Sequence, residues 1–273
     1  INQQILFTKN PNHSTSWRNS VSWEIDKGDG ITFENSSSGI SLIGNKSKLI
    51  VGSFSPKLGP FISNLSLSGN SPSFMQLNWD YKFDKLRFQF IGGQLESLID
   101  MDYSEKPHSV PRYIFLHRLD FFPNKKIRFA IYEMIITGGD KLNFGYLNPL
   151  SLYWHTQHSS YDKDNILMGF DAEYLLSSNR MYFSFIIDEW RPENTLDNNN
   201  RNWFGYQIGY SKAFNISDYS ALYKLEYSYL SPQLYSHYLN RNLVEHHNYP
   251  LGFWAGGNSK ELVSYFSLIS KNN

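Results

Sequence analysis

Cysteine is absent from this chain of 273 residues, which excludes a disulfide framework and any metal site with thiolate ligands. No window approaches the ~18–20 consecutive apolar residues that a transmembrane helix requires, so that mode of membrane insertion is excluded as well. Net charge is also lacking, because 25 basic residues balance 25 acidic ones. The sequence therefore gives no electrostatic reason to expect a nucleic-acid partner.

Neither end of the chain has the signal expected of a complete exported protein. No signal peptide is visible, and the chain begins with Ile1 rather than Met, so we expect a mature or truncated N-terminus. Segment 261–270 has the pattern of a strand, but the sequence stops at 271–273 without a terminal aromatic residue. We therefore expect a single domain over residues 1–273 that is incomplete at its C-terminus; an atypical terminus is the alternative.

The connections between the predicted strands alternate in length. Short turns at one end and long polar loops at the other are typical of outer-membrane β-barrels. The turns fall at 84–85, 123–125, 178–179 and 215–218, and the loops at roughly 94–112, 138–163, 191–202 and 231–260. The intervening segments of roughly 10–13 residues suit a tilted membrane strand of ~9–11 residues better than a soluble strand of ~5–6. The sequence thus predicts an all-β fold, an antiparallel up-and-down transmembrane β-barrel.

Apolar and polar residues alternate along these segments. In the hairpin 74–93, apolar side chains from Met75 to Phe83 alternate with polar ones from Gln76 to Asp84, a period of two that indicates strands. The pattern recurs at 166–174, 204–211 and 219–229. With weaker segments near 3–9, 19–27, 30–35, 39–44 and 47–54, the count is about 14 strands. A soluble β-sandwich also has one wet face, but strand length and loop alternation favour the barrel.

A charged group falls on two neighbouring predicted strands. His117, Arg118 and Asp120 belong to one strand, and Glu133 belongs to the next. We expect the four to form a structural cluster in the barrel lumen, in which Arg118 makes a charge-assisted pair with Glu133 or Asp120. The alternative is a polar cluster that binds a polar ligand.

Carboxylates and histidines do not support catalysis or metal binding. Asp188 and Glu189 point to opposite faces of a strand, so they cannot flank one glycosidic bond. Asp171 could pair with Asp188, but any barrel offers many such carboxylate pairs. A metal needs three or four convergent ligands, so we interpret the histidines at 155, 158, 246 and 247 as loop residues with ordinary hydrogen bonds, and a metal site is the alternative. We predict a protein that is not an enzyme, with no catalytic residue, no metal and no cofactor.

The two longest loops, 138–163 and 231–260, are rich in aromatic and polar side chains. Rings stack on the C–H faces of sugars, while amides and imidazoles supply donors and acceptors for hydroxyl groups. We predict that both loops meet at the extracellular mouth and form a polysaccharide-binding surface. Its candidate residues are Tyr153, Trp154, His155, Gln157, Tyr238, His247 and Trp254. The alternative is that these aromatics only pack the loops onto the mouth.

The order of several short motifs over roughly residues 48–260 resembles the capsule assembly protein Wzi family. These motifs are Val51-Gly52, Leu58-Gly59-Pro60, 64–70, 117–120, Tyr132-Glu133, Gly138-Gly139, 146–150, His155 with Gln157, 165–171, 187–189, 235–238, His247 and 250–252. The resemblance implies a closed outer-membrane barrel of about 18 strands. It also implies a non-catalytic lectin that holds exported capsular polysaccharide on the cell surface. The chain departs from the family around 52–60, in its smaller strand count and in showing no N-terminal periplasmic helical segment.

We therefore expect a bacterial outer-membrane barrel that binds or retains capsular or related surface polysaccharide. Its expected partners are that polysaccharide, outer-membrane lipid and the barrel assembly machinery, and not nucleic acid. A porin-like channel for small polar solutes and a soluble carbohydrate-active β-sandwich are the alternative functions.

Overall fold

The computed structural model describes residues 2–8, 30–100, 108–139, 141–159, 163–188 and 203–270. Its main element is a twelve-stranded antiparallel sheet in which each strand pairs with the next long strand of the chain. Across the sheet these are β1 (Asn2–Thr8), β2 (Gly30–Ile43), β3 (Ser47–Phe54), β6 (Phe74–Phe83), β7 (Leu86–Asp100), β8 (His108–Asn124), β9 (Ile127–Gly138), β10 (Asn165–Leu176), β11 (Asn179–Asp188), β12 (Trp203–Ile216), β13 (Tyr219–Leu230) and β16 (Ser259–Ser270). The all-β, antiparallel fold class is confirmed, and no pairing among the described strands joins β1 to β16.

Smaller elements lie in the long connections. β4 (Lys57–Leu58) pairs with β5 (Leu67–Ser68), and β14 (Glu245–His246) pairs with β15 (Tyr249–Pro250). The helix α1 (Tyr153–Ser159) follows β9. Of the helices in the described part of the chain, none has the length and apolar character needed to span a bilayer.

Strand boundaries differ from the prediction in two places. Segments 30–35 and 39–44 form the single strand β2, and segment 19–27 lies outside the described residues. Residues 94–100 and 108–112 of the predicted loop are strand, because β7 and β8 extend into it from both sides, and residues 101–107 lie outside the described residues. A register shift between Leu95 and Leu98 interrupts the alternation there, and such an irregularity conceals a strand from a period-two search.

The predicted short turns all lie at one end of the sheet, as expected of an antiparallel meander. Turns at 84–85 and 217–218 fall where predicted, while the other two shift by one or two residues to 125–126 and 177–178. Asp84, Ser177 and Ser217 each open their turn with positive φ values of 49°, 52° and 48°. Short polar residues tolerate this left-handed conformation better than branched ones do.

The two faces of the sheet differ as the alternation predicted. Met75 is 56% exposed and Ile208 is 54% exposed, whereas the neighbouring Gln76 and Gln207 are 2% and 1% exposed. We call the face that carries the exposed apolar side chains the outer face, and the opposite one the inner face. The outer face is apolar, as a membrane barrel requires, and the inner face carries polar side chains as well as a buried apolar cluster.

The principal core lies on the inner face, between the sheet and two loops that fold against it. Strand residues such as Ile91, Ile114 and Met134 contact loop residues such as Leu65 and Phe253, and all are buried. We call segments 55–73 and 231–258 the inner loops. Their burial against the inner face places any site that they form at or within the mouth of the sheet.

Candidate functional site

The two inner loops bind each other directly. The backbone N–H of Ser68 donates to the carbonyl of Leu251 at 2.9 Å, and the hydroxyl of Tyr235 donates to the carbonyl of Leu65 at 2.6 Å. The backbone N–H of Trp254 donates to Oγ of Ser63 at 3.0 Å. These bonds make the pair one structural unit rather than two independent loops.

Side chains from the strands hold this unit in place. Glu226 on β13 accepts hydrogen bonds from the backbone N–H of Ile62 at 2.9 Å and from the hydroxyl of Tyr182 at 2.6 Å. The side-chain amide of Gln207 donates to the carbonyl of Ser63 at 2.8 Å, and Asp188 accepts from the backbone N–H of Tyr235 at 2.9 Å. Polar groups on the inner face therefore position the loops.

A cavity of about 460 Å³ opens where the inner loops meet, and we call it the Trp254 cavity. Ile62, Ser63, Asn70, Tyr249, Pro250 and Trp254 line it. The Trp254 ring is 55% exposed and Tyr249 is 38% exposed. Nε1 of Trp254 donates to Glu261 at 2.8 Å, which holds one edge of the indole ring, and Asn70 bonds to Ser63 at 3.3 Å.

The chemistry of this cavity suits a sugar. A flat exposed ring provides a surface for the apolar C–H face of a pyranose, and a hydrogen bond fixes the ring's orientation. Amide and hydroxyl groups beside the ring can exchange hydrogen bonds with sugar hydroxyls. Apolar walls with a few polar groups are also the usual composition of small-molecule sites.

A second polar cluster joins the loop 231–258 to β7. Glu96 lies 2.9 Å from Nδ1 of His247 and 3.3 Å from the guanidinium of Arg112, and its backbone N–H donates to Nδ1 of His246 at 3.1 Å. Burial, with His247 as the next cause, lowers the pKa of His246 to about 4. Burial also raises the pKa of Glu245.

Potential ligand atoms of Glu96, His246 and His247 all lie within 4.8 Å of one another. Among the described residues, this cluster therefore has the spacing that a metal site requires. Arg112 already places a buried positive charge against the Glu96 carboxylate. A second cation there would face that charge directly, which is unfavourable at low dielectric. We interpret the cluster as an ion-pair anchor for the inner loop.

Paired charges fill the inner face below the loops. Arg118 is 2% exposed and contacts Asp120 at 3.0 Å and Asp171 at 2.5 Å. Ser184 donates to the same Asp171 at 2.5 Å. Three arginines here face three carboxylates, which are Arg118, Arg128 and Arg180 with Asp120, Asp171 and Glu173.

Asp171 and Asp188, the described candidate acids for cleavage of a glycosidic bond, both have structural partners. Asp171 is engaged by Arg118, and Asp188 holds the backbone of Tyr235. Glu189 lies outside the described residues. The carboxylates of β10 and β11 therefore have evident structural roles in the assembly of the inner face.

The predicted lumen cluster is corrected by the structure. Arg118 and Asp120 lie on the inner face, but His117 and Glu133 are a directly opposed pair on the outer face, with Nε2 of His117 2.9 Å from Glu133. Adjacent residues of a strand point to opposite faces, so His117 and Arg118 cannot share a cluster. Arg118 does pair with Asp120, one of its two predicted partners, and its second partner is Asp171 on β10 rather than Glu133.

The predicted polysaccharide-binding residues separate into two groups. His247 and Trp254 belong to the inner loop 231–258, as does Tyr238, which is 65% exposed. The segment 141–159, which we call the outer loop, folds over the outer face instead. There Tyr153 is fully buried, Gln157 is buried against the carbonyl of Asp164 at 2.6 Å, and Trp154 and His155 are exposed.

The two loops therefore do not converge on one surface, although both connect strands at the same end of the sheet. Sequence reasoning also missed the contribution of segment 55–73, which supplies Ile62, Ser63 and Asn70 to the cavity. The polar run 64–70 was visible as a motif, but only its contact with the second inner loop gives it a role in a site.

No protein-family model and no curated protein matches the sequence. Among solved structures, the chain is similar to Wzi, an outer-membrane protein involved in group 1 capsule assembly in Escherichia coli and a carbohydrate-binding β-barrel. The TM-score is 0.67 at 16% identity, over 91% of this chain and 57% of that one. OmpT, an outer-membrane protein of Vibrio cholerae, gives a TM-score of 0.42 at 10% identity, over 97% of this chain and 73% of that one.

This chain thus spans little more than half the length of Wzi. At this level of identity the likeness shows the fold, which is that of an outer-membrane β-barrel.

Proposed function

We propose that this protein lies in the bacterial outer membrane and binds exported surface polysaccharide, without catalysis, at the Trp254 cavity. The observation that carries the proposal is the exposed indole of Trp254 beside Tyr249, Asn70 and Ser63, in a cavity formed by two loops locked to each other. Such an arrangement offers a preformed stacking surface, and preformed sites lose less entropy on binding.

The likeness of fold supports this proposal, because Wzi is a carbohydrate-binding barrel involved in capsule assembly. We propose the same class of ligand, capsular or related surface polysaccharide, for this protein. Tyr238, which is exposed on the same inner loop, is a candidate for a second contact along the polymer. One sugar on one ring gives a weak interaction, but a polymer that presents many repeats to many copies of the protein gains avidity.

A porin-like channel is the competing function. The inner loops cover much of the inner face, and the charges below them pair with each other instead of forming a ring of one sign. Channels that select by charge use such rings. Swelling of proteoliposomes in small sugars provides the direct test, and rapid swelling would contradict the proposed role.

The binding test compares Trp254 with Trp154, because the sequence pattern predicted both as polysaccharide-binding residues. Trp254→Ala removes the ring of the cavity, whereas Trp154→Ala removes a ring that is 39% exposed over the opposite face of the sheet. We expect Trp254→Ala to release polysaccharide from cells into the medium and to weaken binding of polysaccharide purified from the source strain. We expect Trp154→Ala to retain it.

Both variants must be present in the outer membrane at the abundance of the unmodified protein. Equal release by the two variants would contradict the assignment to the Trp254 cavity. Full retention by Trp254→Ala combined with Tyr249→Ala would also contradict it.

A further inference from the structure

The outer loop docks on the face of the sheet that carries the exposed apolar side chains. Its Tyr146 and Tyr153 are fully buried in a cluster with Phe90, Phe115 and Ile135. All three strand residues belong to the outer face, since Phe90 pairs with His117 and Phe115 pairs with Ile135. The segment therefore lies along the outside of the wall rather than across its mouth.

Beneath this loop the outer face of the sheet carries the polar pair of His117 and Glu133, whose contact with lipid would be unfavourable. His117 lies roughly 23 Å along the strand from Asn124 at the end of β8, or about 16 Å in height at a tilt of ~45°. The apolar band of an outer-membrane barrel is about 25 Å tall. The pair of His117 and Glu133 thus falls within the height of that band, where an uncovered carboxylate would face hydrocarbon.

The outer loop covers the pair and satisfies it. The Tyr153 ring stacks on the His117 ring with centroids 4.3 Å apart. The backbone N–H of Tyr153 donates to Glu133 at 2.9 Å, and both members of the pair are only 13% exposed.

The opposite side of the loop is apolar. Five large side chains are exposed there, to between 39% and 80%: Phe144, Leu147, Leu150, Leu152 and Trp154. Segment 141–159 contains no carboxylate, and Lys141 is its lone lysine or arginine. Aromatic and aliphatic residues with Asn, Ser and His are a composition suited to the membrane interface.

We infer that the outer loop is a lipid-contacting element that restores the apolar surface of the barrel over the polar pair of His117 and Glu133. The outer loop contacts lipid of the outer leaflet, because its exposed side chains continue the apolar outer face. That face is the lipid-facing side of an outer-membrane barrel. Trp154 in particular belongs to the membrane boundary and not to the polysaccharide site. The inference rests on the membrane location in the proposed function but not on polysaccharide binding.

The test uses the absence of native cysteine. A nitroxide at Leu150→Cys reports the surroundings of the outer loop in phosphatidylcholine vesicles. The same label at Ile208→Cys, 54% exposed on the outer face, is the lipid reference, and at Tyr238→Cys, 65% exposed on an inner loop, it is the water reference. Collision rates with oxygen, which partitions into lipid, and with a water-soluble nickel chelate are measured for each.

We expect the oxygen-to-nickel ratio at Leu150 to exceed that at Tyr238 severalfold and to approach that at Ile208. A ratio equal to that at Tyr238 would show a water-exposed loop and overturn the inference. Suppression of both collision rates would show cover by protein, such as a second copy, and would overturn it too. A low ratio at Ile208 would instead refute the membrane location, whereas the vesicles contain no polysaccharide, so its binding does not affect the result.

Discussion

The carboxylate of Glu133, on the outer face of β9, accepts a hydrogen bond of 2.9 Å from the backbone N–H of Tyr153 in the outer loop. The same oxygen lies 2.9 Å from Nε2 of His117. One side chain thus connects the wall of the sheet to the segment that covers it. The position of the outer loop depends on this carboxylate as well as on the burial of the two tyrosines.

Glu133→Ala should release the outer loop. The change leaves the backbone N–H of Tyr153 without its acceptor, at a cost of about 1–3 kcal/mol. Hydrogen exchange of segment 141–159 should accelerate, and the barrel should lose heat resistance in gel-shift assays. Glu261→Ala, on the inner face of β16, is the control and should leave that exchange unchanged. Loss of polysaccharide binding with unchanged stability would show instead that Glu133 contacts the ligand.

Asp171→Ala should destabilise the barrel more than any change at an exposed turn carboxylate. It removes the closest partner of a guanidinium that is 2% exposed, and breaking a buried ion pair costs about 3–5 kcal/mol. Asp218→Ala, at the exposed turn between β12 and β13, is the control. The measurement is the temperature at which each folded barrel converts to the unfolded gel form. Equal temperatures for the two variants would mean that Arg118 finds another partner.

The strands and their two faces could be predicted from the sequence, because the alternation of apolar and polar residues separates the side chains of the outer face from those of the inner face. The hairpin 74–93 shows this, since its predicted apolar and polar faces are the observed outer and inner faces. This alternation does not predict which face of the sheet a loop folds over. The predicted loops 138–163 and 231–260 have similar composition, yet the described outer loop 141–159 folds over the outer face and the inner loop 231–258 folds over the inner face.

The choice between faces depends on contacts far apart in sequence. Tyr153 meets His117 and Glu133, whereas Tyr235 meets Leu65 and Asp188. The charged group at 117–120 was misread for a different reason. Three polar residues close in sequence, His117, Arg118 and Asp120, were grouped with Glu133 of the next strand, but alternation places His117 and Glu133 on one face and Arg118 and Asp120 on the other.

Leu77→Asp should impair assembly more than Asn78→Asp, although the two positions are adjacent on β6. Leu77 is 38% exposed on the outer face, where an aspartate would face lipid at a cost of up to a few kcal/mol. Asn78 lies on the inner face, between Gln76 and Asp80 along the same strand. Folding yield into vesicles, measured by heat-modifiable migration, compares the two variants. Equal yields would contradict the assignment of the outer face to lipid.

Acidification should loosen the inner loop 231–258 through His246. Burial lowers the pKa of this imidazole from 6.5 to about 4 in the folded protein. Between pH 6.5 and pH 4 the unfolded loop therefore binds a proton that the folded loop does not. Stability contributed by the neutral ring is present above pH 6.5 and is lost as the pH falls, by up to roughly 3 kcal/mol.

The groups around this ring determine how the effect is measured. Glu96, Arg112 and His247 face His246, and the raised pKa of the adjacent Glu245 acts in the opposite direction as pH falls. Hydrogen exchange of segment 244–251 should therefore be followed from pH 7 to pH 4 in the unmodified protein and in His246→Asn. The asparagine keeps an acceptor for the backbone N–H of Glu96 but does not titrate.

We expect exchange in the unmodified protein to rise steeply below pH 6.5, after correction for the intrinsic pH dependence of exchange. The rise should be much shallower in His246→Asn, while His155→Asn, an exposed histidine on the outer loop, should behave like the unmodified protein. The same pH dependence in His246→Asn would assign the acid sensitivity to the pair of Glu96 and His247 instead. Release of the loop at low pH should also weaken polysaccharide binding, because Trp254 and Tyr249 belong to this loop and line the cavity that it forms with segment 55–73.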